Sequence, residues 1–157
     1  MPKVESTRRI AATPAQVWPL LADAARWPEW MPGIQGSRVL GERREGVGRR
    51  QLLEVGYAGQ RGEVELEVTA WEPERRMAWL HLAERIAGKQ QNFAKDIRAE
   101  ITLQPADGGT VVSFQSSWEP VGMLGRMLGK TLIQSRAGEM VEQAAGNLER
   151  LALVATG

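Results

Sequence analysis

Hydrophobic and polar positions divide the chain into three stretches with different periods. The first, from Val4 to Asp23, pairs a short alternating strand, Val4–Ile10, with a helix signal at Thr13-Pro14-Ala15-Gln16. Thr13 can cap that helix, Pro14 occupies the first turn where its missing N–H costs nothing, and Gln16 completes a capping box. Val17, Trp18, Leu20 and Leu21 then make an apolar helical face. A second short helix is expected over Ala24 to Trp30, ending near Met31-Pro32-Gly33 because proline and glycine cannot continue it.

From Ile34 to Glu119 the period falls to two. Six strands are predicted: Ile34–Leu40, Gly48–Val55, Gly62–Trp71, Arg76–Leu82, Asp96–Gln104 and Thr110–Glu119. Alternation is cleanest in Glu63-Val64-Glu65-Leu66-Glu67-Val68, the mark of a sheet with one wet face and one buried face. The last stretch, Val121 to about Ala155, reads as one long helix. Met123, Met127, Ala137, Met140, Val141, Ala144, Leu148 and Leu151 fall on one stripe, which Leu124, Leu128 and Leu132 widen. Glycines 122, 125, 129, 138 and 146 each cost such a helix roughly 1 kcal/mol relative to alanine, a deficit that close packing on a sheet would offset. A run of strands with segregated helices gives an α+β domain spanning 1–157. The element order implies a seven-stranded curved antiparallel sheet wrapped around a long C-terminal helix, with two short helices after the first strand.

Two turns set which side chains face inward. With Asp107-Gly108 as a two-residue loop, Leu103 opposes Val112, Ile101 opposes Phe114, Ala99 opposes Ser116 and Ile97 opposes Trp118. On the other face Thr102 meets Ser113, Glu100 meets Gln115 and Arg98 meets Ser117. An even loop at Glu72-Pro73-Glu74-Arg75 places Ala70 opposite Met77, Val68 opposite Trp79 and Leu66 opposite His81, so Trp79 and His81 point inward. An odd loop would put Leu80 and Leu82 there instead. In the Gly48–Val55 strand, the inward set is either Gln51 and Leu53 or Arg50 and Leu52.

Composition narrows the chemistry. There is no cysteine, which excludes disulfides, thiolate nucleophiles and Cys-ligated zinc. Twenty basic and 19 acidic residues give a net charge of +1, no field for nucleic acid. The pairs Arg43-Arg44 and Arg49-Arg50 sit among Glu42 and Glu45 and read as a solvated loop. Neither a secretory pattern nor an apolar run of bilayer length is present, so a cytoplasmic protein without stable membrane insertion is expected. One histidine, His81, cannot make a multi-histidine metal site, and no nucleophile elbow, phosphate loop or dinucleotide fingerprint occurs. No metal and no cofactor are expected.

Three motifs carry a family resemblance. The first runs from Ile10 through Thr13-Pro14-Ala15-Gln16-Val17-Trp18 to Asp23, continuing in Trp27-Pro28-Glu29-Trp30-Met31-Pro32-Gly33-Ile34. The second is Val68-Thr69-Ala70-Trp71-Glu72-Pro73-Glu74-Arg75-Arg76-Met77-Ala78-Trp79, and the third is Gly122-Met123-Leu124-Gly125-Arg126-Met127-Leu128-Gly129. Together they resemble the START-like (SRPBCC, helix-grip) superfamily, in its polyketide cyclase/dehydrase and lipid-transport branch. The resemblance implies an elongated cavity between sheet and C-terminal helix, lidded by the two short helices, holding lipids, isoprenoids or polyketides.

Within that frame the expected ligand-binding residues are Trp27 and Trp30 at the lid, and Trp79, His81, Ile97, Ala99, Ile101, Phe114, Ser116 and Trp118 on the concave face. Met123 and Met127 complete the set on the helix. His81 is the side chain suited to proton transfer near neutral pH and the single catalytic candidate. The primary expectation is a non-catalytic binder or carrier of a hydrophobic small molecule, as a monomer or homodimer. The alternative is a polyketide aromatase/cyclase or dehydrase using the same cavity, with His81 moving protons. A third reading is a protein-interaction module that uses the fold without a ligand.

Overall fold

The computed structural model describes residues 3–57, 59–91 and 94–156, without the side chains of Tyr57, residues 124–138 and residues 155–156. Strand β1 (Lys3–Ile10) leads into helix α1 (Pro14–Ala22), a 3₁₀ turn (Ala24–Arg26) and the one-turn helix α2 (Trp27–Trp30). Strands β2 (Ile34–Leu40), β3 (Arg50–Tyr57), β4 (Gln60–Glu72) and β5 (Arg76–Ile86) follow. The two-residue β6 (Lys89–Gln90), β7 (Ala94–Ala106) and β8 (Gly109–Pro120) complete the sheet before the long helix α3 (Gly122–Thr156). The sheet is antiparallel throughout, in the order β1-β8-β7-β5-β4-β3-β2, with β6 pairing only to β5. The α+β architecture is the expected one.

Helix α1 forms where its capping box requires. Thr13 Oγ1 accepts from the Gln16 amide at 3.3 Å, and Gln16 Oε1 accepts from the Thr13 amide at 2.8 Å. Its apolar face, Val17, Trp18, Leu20 and Leu21, is buried against the sheet and α3. Helix α3 presents Val141, Ala144, Ala145, Leu148 and Ala152 to the core, a stripe at helical spacing whose alanines allow close approach. Polar ties fix its position. Asn147 Nδ2 donates to the Trp30 carbonyl at 3.1 Å, satisfying an end of α2, and the Ala11 amide donates to Glu149 at 2.6 Å.

The Asp107-Gly108 hairpin has the expected register from Ala106↔Gly109 through Ile101↔Phe114 to Arg98↔Ser117. Beyond Arg98 it departs from expectation. Asp96 and Ile97 together face the single residue Trp118, so the expected Ile97–Trp118 pair does not form. Asp96 takes a left-handed φ of 51°, which lets the strand kink at that bulge.

The β4–β5 hairpin corrects a second expectation. Its loop is odd: Glu72 pairs with Arg76 across Pro73, Glu74 and Arg75, with Glu74 at φ 64°. Trp71, not Ala70, therefore opposes Met77. Thr69 is then an extra residue on β4, and this bulge restores Val68↔Trp79 and Leu66↔His81. Trp79 and His81 share the face of Met77, as the even loop would have placed them. On β3, Gln51 and Leu53 face inward, opposite Leu66 and Val64.

A buried cation braces the α1–β3 junction. Arg49 is fully buried, donates to the carbonyls of Ala22 and Arg44 and to Gln51, and lies 4.9 Å from the Trp71 ring. Burial pushes its guanidinium down to about 10, partly opposed by Asp23 and Glu45, so it stays charged at neutral pH. Arg49→Ala should lower stability by about 3 kcal/mol, measured by urea unfolding, because the buried Gln51 Oε1 and the partly buried Ala22 carbonyl lose their donor and Trp71 loses its packing partner.

A second prediction follows from Gly109, where a Cβ would sit 2.1 Å from the Ile10 carbonyl oxygen. Backbone cannot retreat there, because Thr110 Oγ1 also holds Ala12 O at 2.6 Å. Gly109→Ala should cost about 3 kcal/mol by the same measurement, whereas Gly108→Ala, in open space at φ 70°, should cost only about 1 kcal/mol.

Candidate functional site

The concave face of the sheet and α3 do not meet everywhere. Where Ala144 ends the close packing, a cavity of about 320 Å³ opens toward Met140. Its sheet wall comes from Leu53 and Val55 on β3, Val64 on β4, Trp79 on β5, Ala99 on β7, and Phe114 and Ser116 on β8. Val4, Met31 and Ile34 close the sides, and Met140, Val141 and Ala144 the helix side. The lining is overwhelmingly apolar, and its volume is at the lower end of ligand-site size.

Tryptophans back this wall. Trp79 lines the cavity; Trp27 packs behind it with ring centroids 4.9 Å apart, and Trp30 stands 5.4 Å from Trp27. The indole N–H groups of Trp27 and Trp30 donate to Leu21 O at 2.9 Å and Leu20 O at 3.0 Å, so both rings are anchored from α1. A separate edge-to-face pair, Trp18 and Trp71 at 5.4 Å, packs beside Arg49.

The polar end of the cavity depends on a third bulge. Leu66 pairs with His81 but Glu65 pairs with Ala83, leaving Leu82 as the extra residue on β5. In an uninterrupted strand His81 and Glu84 would face opposite sides. The bulge brings Glu84 opposite Val64, onto the inner face, and its Oε1 lies 3.2 Å from His81 Nδ1. Glu84 Oε2 accepts from Gln91 Nε2 at 2.9 Å. Both His81 and Glu84 line the cavity and are mostly buried. No signal in the sequence marked Glu84, because bulge positions have no residue signature of their own here.

Of the expected site residues, the structure brings Trp79, His81, Ala99, Phe114 and Ser116 together around the cavity. It places others elsewhere. Trp27 and Trp30 are fully buried in the core and reach the cavity only through Trp79. Ile101 is fully buried one step below the cavity, beside Met77. Ile97, displaced by the β7 bulge, instead lines an open pocket where β5 and β7 stop pairing. Trp118 is buried but not part of the cavity wall. Met123, one residue into α3, is exposed to solvent, and the Met127 side chain lies outside the described residues. Among the described residues no three acidic or histidine side chains gather as a metal ion would need. None of their helices is long and apolar enough to cross a membrane.

Comparison with solved structures matches this arrangement over the whole chain. TTHA0849 from Thermus thermophilus superposes with a TM-score of 0.77 at 22% identity, covering 99% of this chain and 100% of that one. A START superfamily protein from Mycobacterium smegmatis gives 0.74 at 18% identity, covering 97% and 98%. XoxI from Bacillus cereus gives 0.72 at 14%, covering 100% and 99%. At such identities these likenesses speak for the fold. No curated protein matches the chain. The family described as "Polyketide cyclase / dehydrase and lipid transport" matches residues 1–152. With that match and its START-like fold, the chain belongs to the polyketide cyclase/dehydrase and lipid-transport family.

Proposed function

We propose that the protein binds a hydrophobic small molecule, of lipid, isoprenoid or polyketide type, in the cavity between sheet and α3. The observation that carries this reading is the apolar void of about 320 Å³ walled by Trp79, Phe114 and Val141. A fold that could fill this space with larger side chains instead has Ala99, Ser116 and Ala144 there. Burying about 200 Å² of guest at about 25 cal/mol per Å² would supply about 5 kcal/mol, a sub-millimolar affinity before ordering costs.

The experiment is native mass spectrometry of the purified protein for a copurifying guest, followed by titration with long-chain lipids and fused-ring aromatics. Tryptophan fluorescence should change on binding, and the change should shrink in Trp79→Phe. Ala99→Phe, which fills the void from the sheet side, should weaken binding at least tenfold while the protein stays folded. Unchanged binding in Ala99→Phe would place the guest elsewhere.

The contact of His81 with Glu84 supports a second reading, an aromatase/cyclase or dehydrase in which His81 moves a proton on the bound guest. Under it, His81→Phe should abolish turnover of a polyketide-like substrate while leaving its binding within tenfold. Turnover surviving in His81→Phe would exclude this role.

A further inference from the structure

The sheet is split beside the polar end of the cavity. Strands β5 and β7 pair only from Arg76↔Thr102 to Leu80↔Arg98, although β5 continues to Ile86 and β7 begins at Ala94. Past Leu80 both strands bulge, β5 at Leu82 and β7 at Asp96-Ile97. A side chain takes over from the missing ladder: Gln91 Nε2 donates to Glu84 Oε2 and to Ala94 O, both at 2.9 Å, and its Oε1 accepts from the Ala94 amide at 3.2 Å. His81 and Glu84 stand at this split, lining both the cavity and the open pocket that includes Leu82 and Ile97.

We infer that the split is a hydroxyl-recognition site, at which the cavity's guest presents an alcohol, phenol or enol O–H to Nε2 of His81. The inference rests on the apolar-guest reading above. A carboxylate only accepts hydrogen bonds, so the 3.2 Å contact with Glu84 requires the proton on His81 Nδ1. In the neutral ring Nε2 is then an acceptor, and it makes no hydrogen bond within the described residues. A guest O–H satisfies it. A ketone or ether sets acceptor against acceptor. A carboxylate guest would meet the charge of Glu84 across an apolar pocket, where repulsion is little screened. The ligand class that fits is therefore an apolar body ending in one hydroxyl, the body in the cavity and the oxygen at the split.

The test is equilibrium dialysis of the full chain at pH 8 with 2-naphthol, 2-methylnaphthalene and 2-methoxynaphthalene, which share one ring system. Wild type should bind 2-naphthol five- to tenfold more tightly than either analogue, the worth of one hydrogen bond. His81→Phe should bring all three within twofold, and Ser116→Ala, which removes the hydroxyl among the cavity's lining side chains, should keep the preference. Equal binding of the three by wild type, or a preference that survives His81→Phe, overturns the hydroxyl site and leaves the cavity reading standing. Binding of none of them overturns both. Because His81 is the sole histidine, an imidazole ¹⁵N spectrum of wild type gives an assignment independent of any variant's folding. The Nδ1-protonated tautomer is expected, with the Nε2 resonance moving on addition of 2-naphthol and not of 2-methylnaphthalene. An Nε2-protonated ring would overturn the inference.

Discussion

Strand parity is the constraint on which the rest of this structure depends. Successive side chains of a strand point to opposite faces, so one extra residue on one strand exchanges inside for outside from that point on. Here Thr69, Leu82 and the Asp96-Ile97 pair each make such an exchange, and another irregularity lies between Ile34 and Gly36. Thr69 puts Trp71 against Trp18 and Arg49, Leu82 delivers Glu84 to His81, and Asp96-Ile97 moves Ile97 to the split between β5 and β7. Bulges also increase local twist and bend, which a long sheet needs in order to curl around a single helix.

The curl is held shut at the corner where β1 meets β8. Glycine at 109 lets the Ile10 backbone approach closer than any Cβ would allow, and Thr110 binds the carbonyl of Ala12 just before α1 begins. From that corner α1 and α2 are drawn over the sheet and pinned to α3 by Asn147. Ala144, Ala145 and Ala152 then let α3 pack closely along its C-terminal part. Leu148 is fully buried whereas Met140 is exposed, and the cavity lies on the Met140 side, against Val141 and Ala144.

How much of this was legible in the sequence follows from which forces act locally. The capping box at Thr13, the Asp107-Gly108 turn and the acid–aliphatic alternation of β4 are local, and each appears in the structure as read. The inward setting of Trp79 and His81 was also read correctly, but through two errors that cancel: the loop before β5 is odd, and the Thr69 bulge reverses it. Bulges answer to curvature and to neighbours distant in sequence, so Glu84, Ile97 and the bridging Gln91 carried no mark of their roles. The tryptophans of α2 were misplaced for a related reason. A ring in the lid reads as a ligand contact, whereas the carbonyls of Leu20 and Leu21 turn both indoles into the core.

The polar end of the cavity is a consequence of the same geometry. Where β5 and β7 stop pairing, their backbone groups lose ladder partners, and a sheet interior does not tolerate orphaned amides and carbonyls. Gln91 answers part of that need by bonding Ala94 through both ends of its amide and Glu84 through its nitrogen. The Gln91 backbone N–H also donates to the Glu84 backbone carbonyl at 3.0 Å. Glu84 is thus held from two directions before it touches His81. A carboxylate fixed in that way orients the imidazole without moving to do so, which is the preorganisation that makes a single hydrogen bond selective. The break in the ladder that the bulges impose is what brings this oriented imidazole to a largely apolar cavity, and it places that contact at the rim, where a guest oxygen would keep access to water.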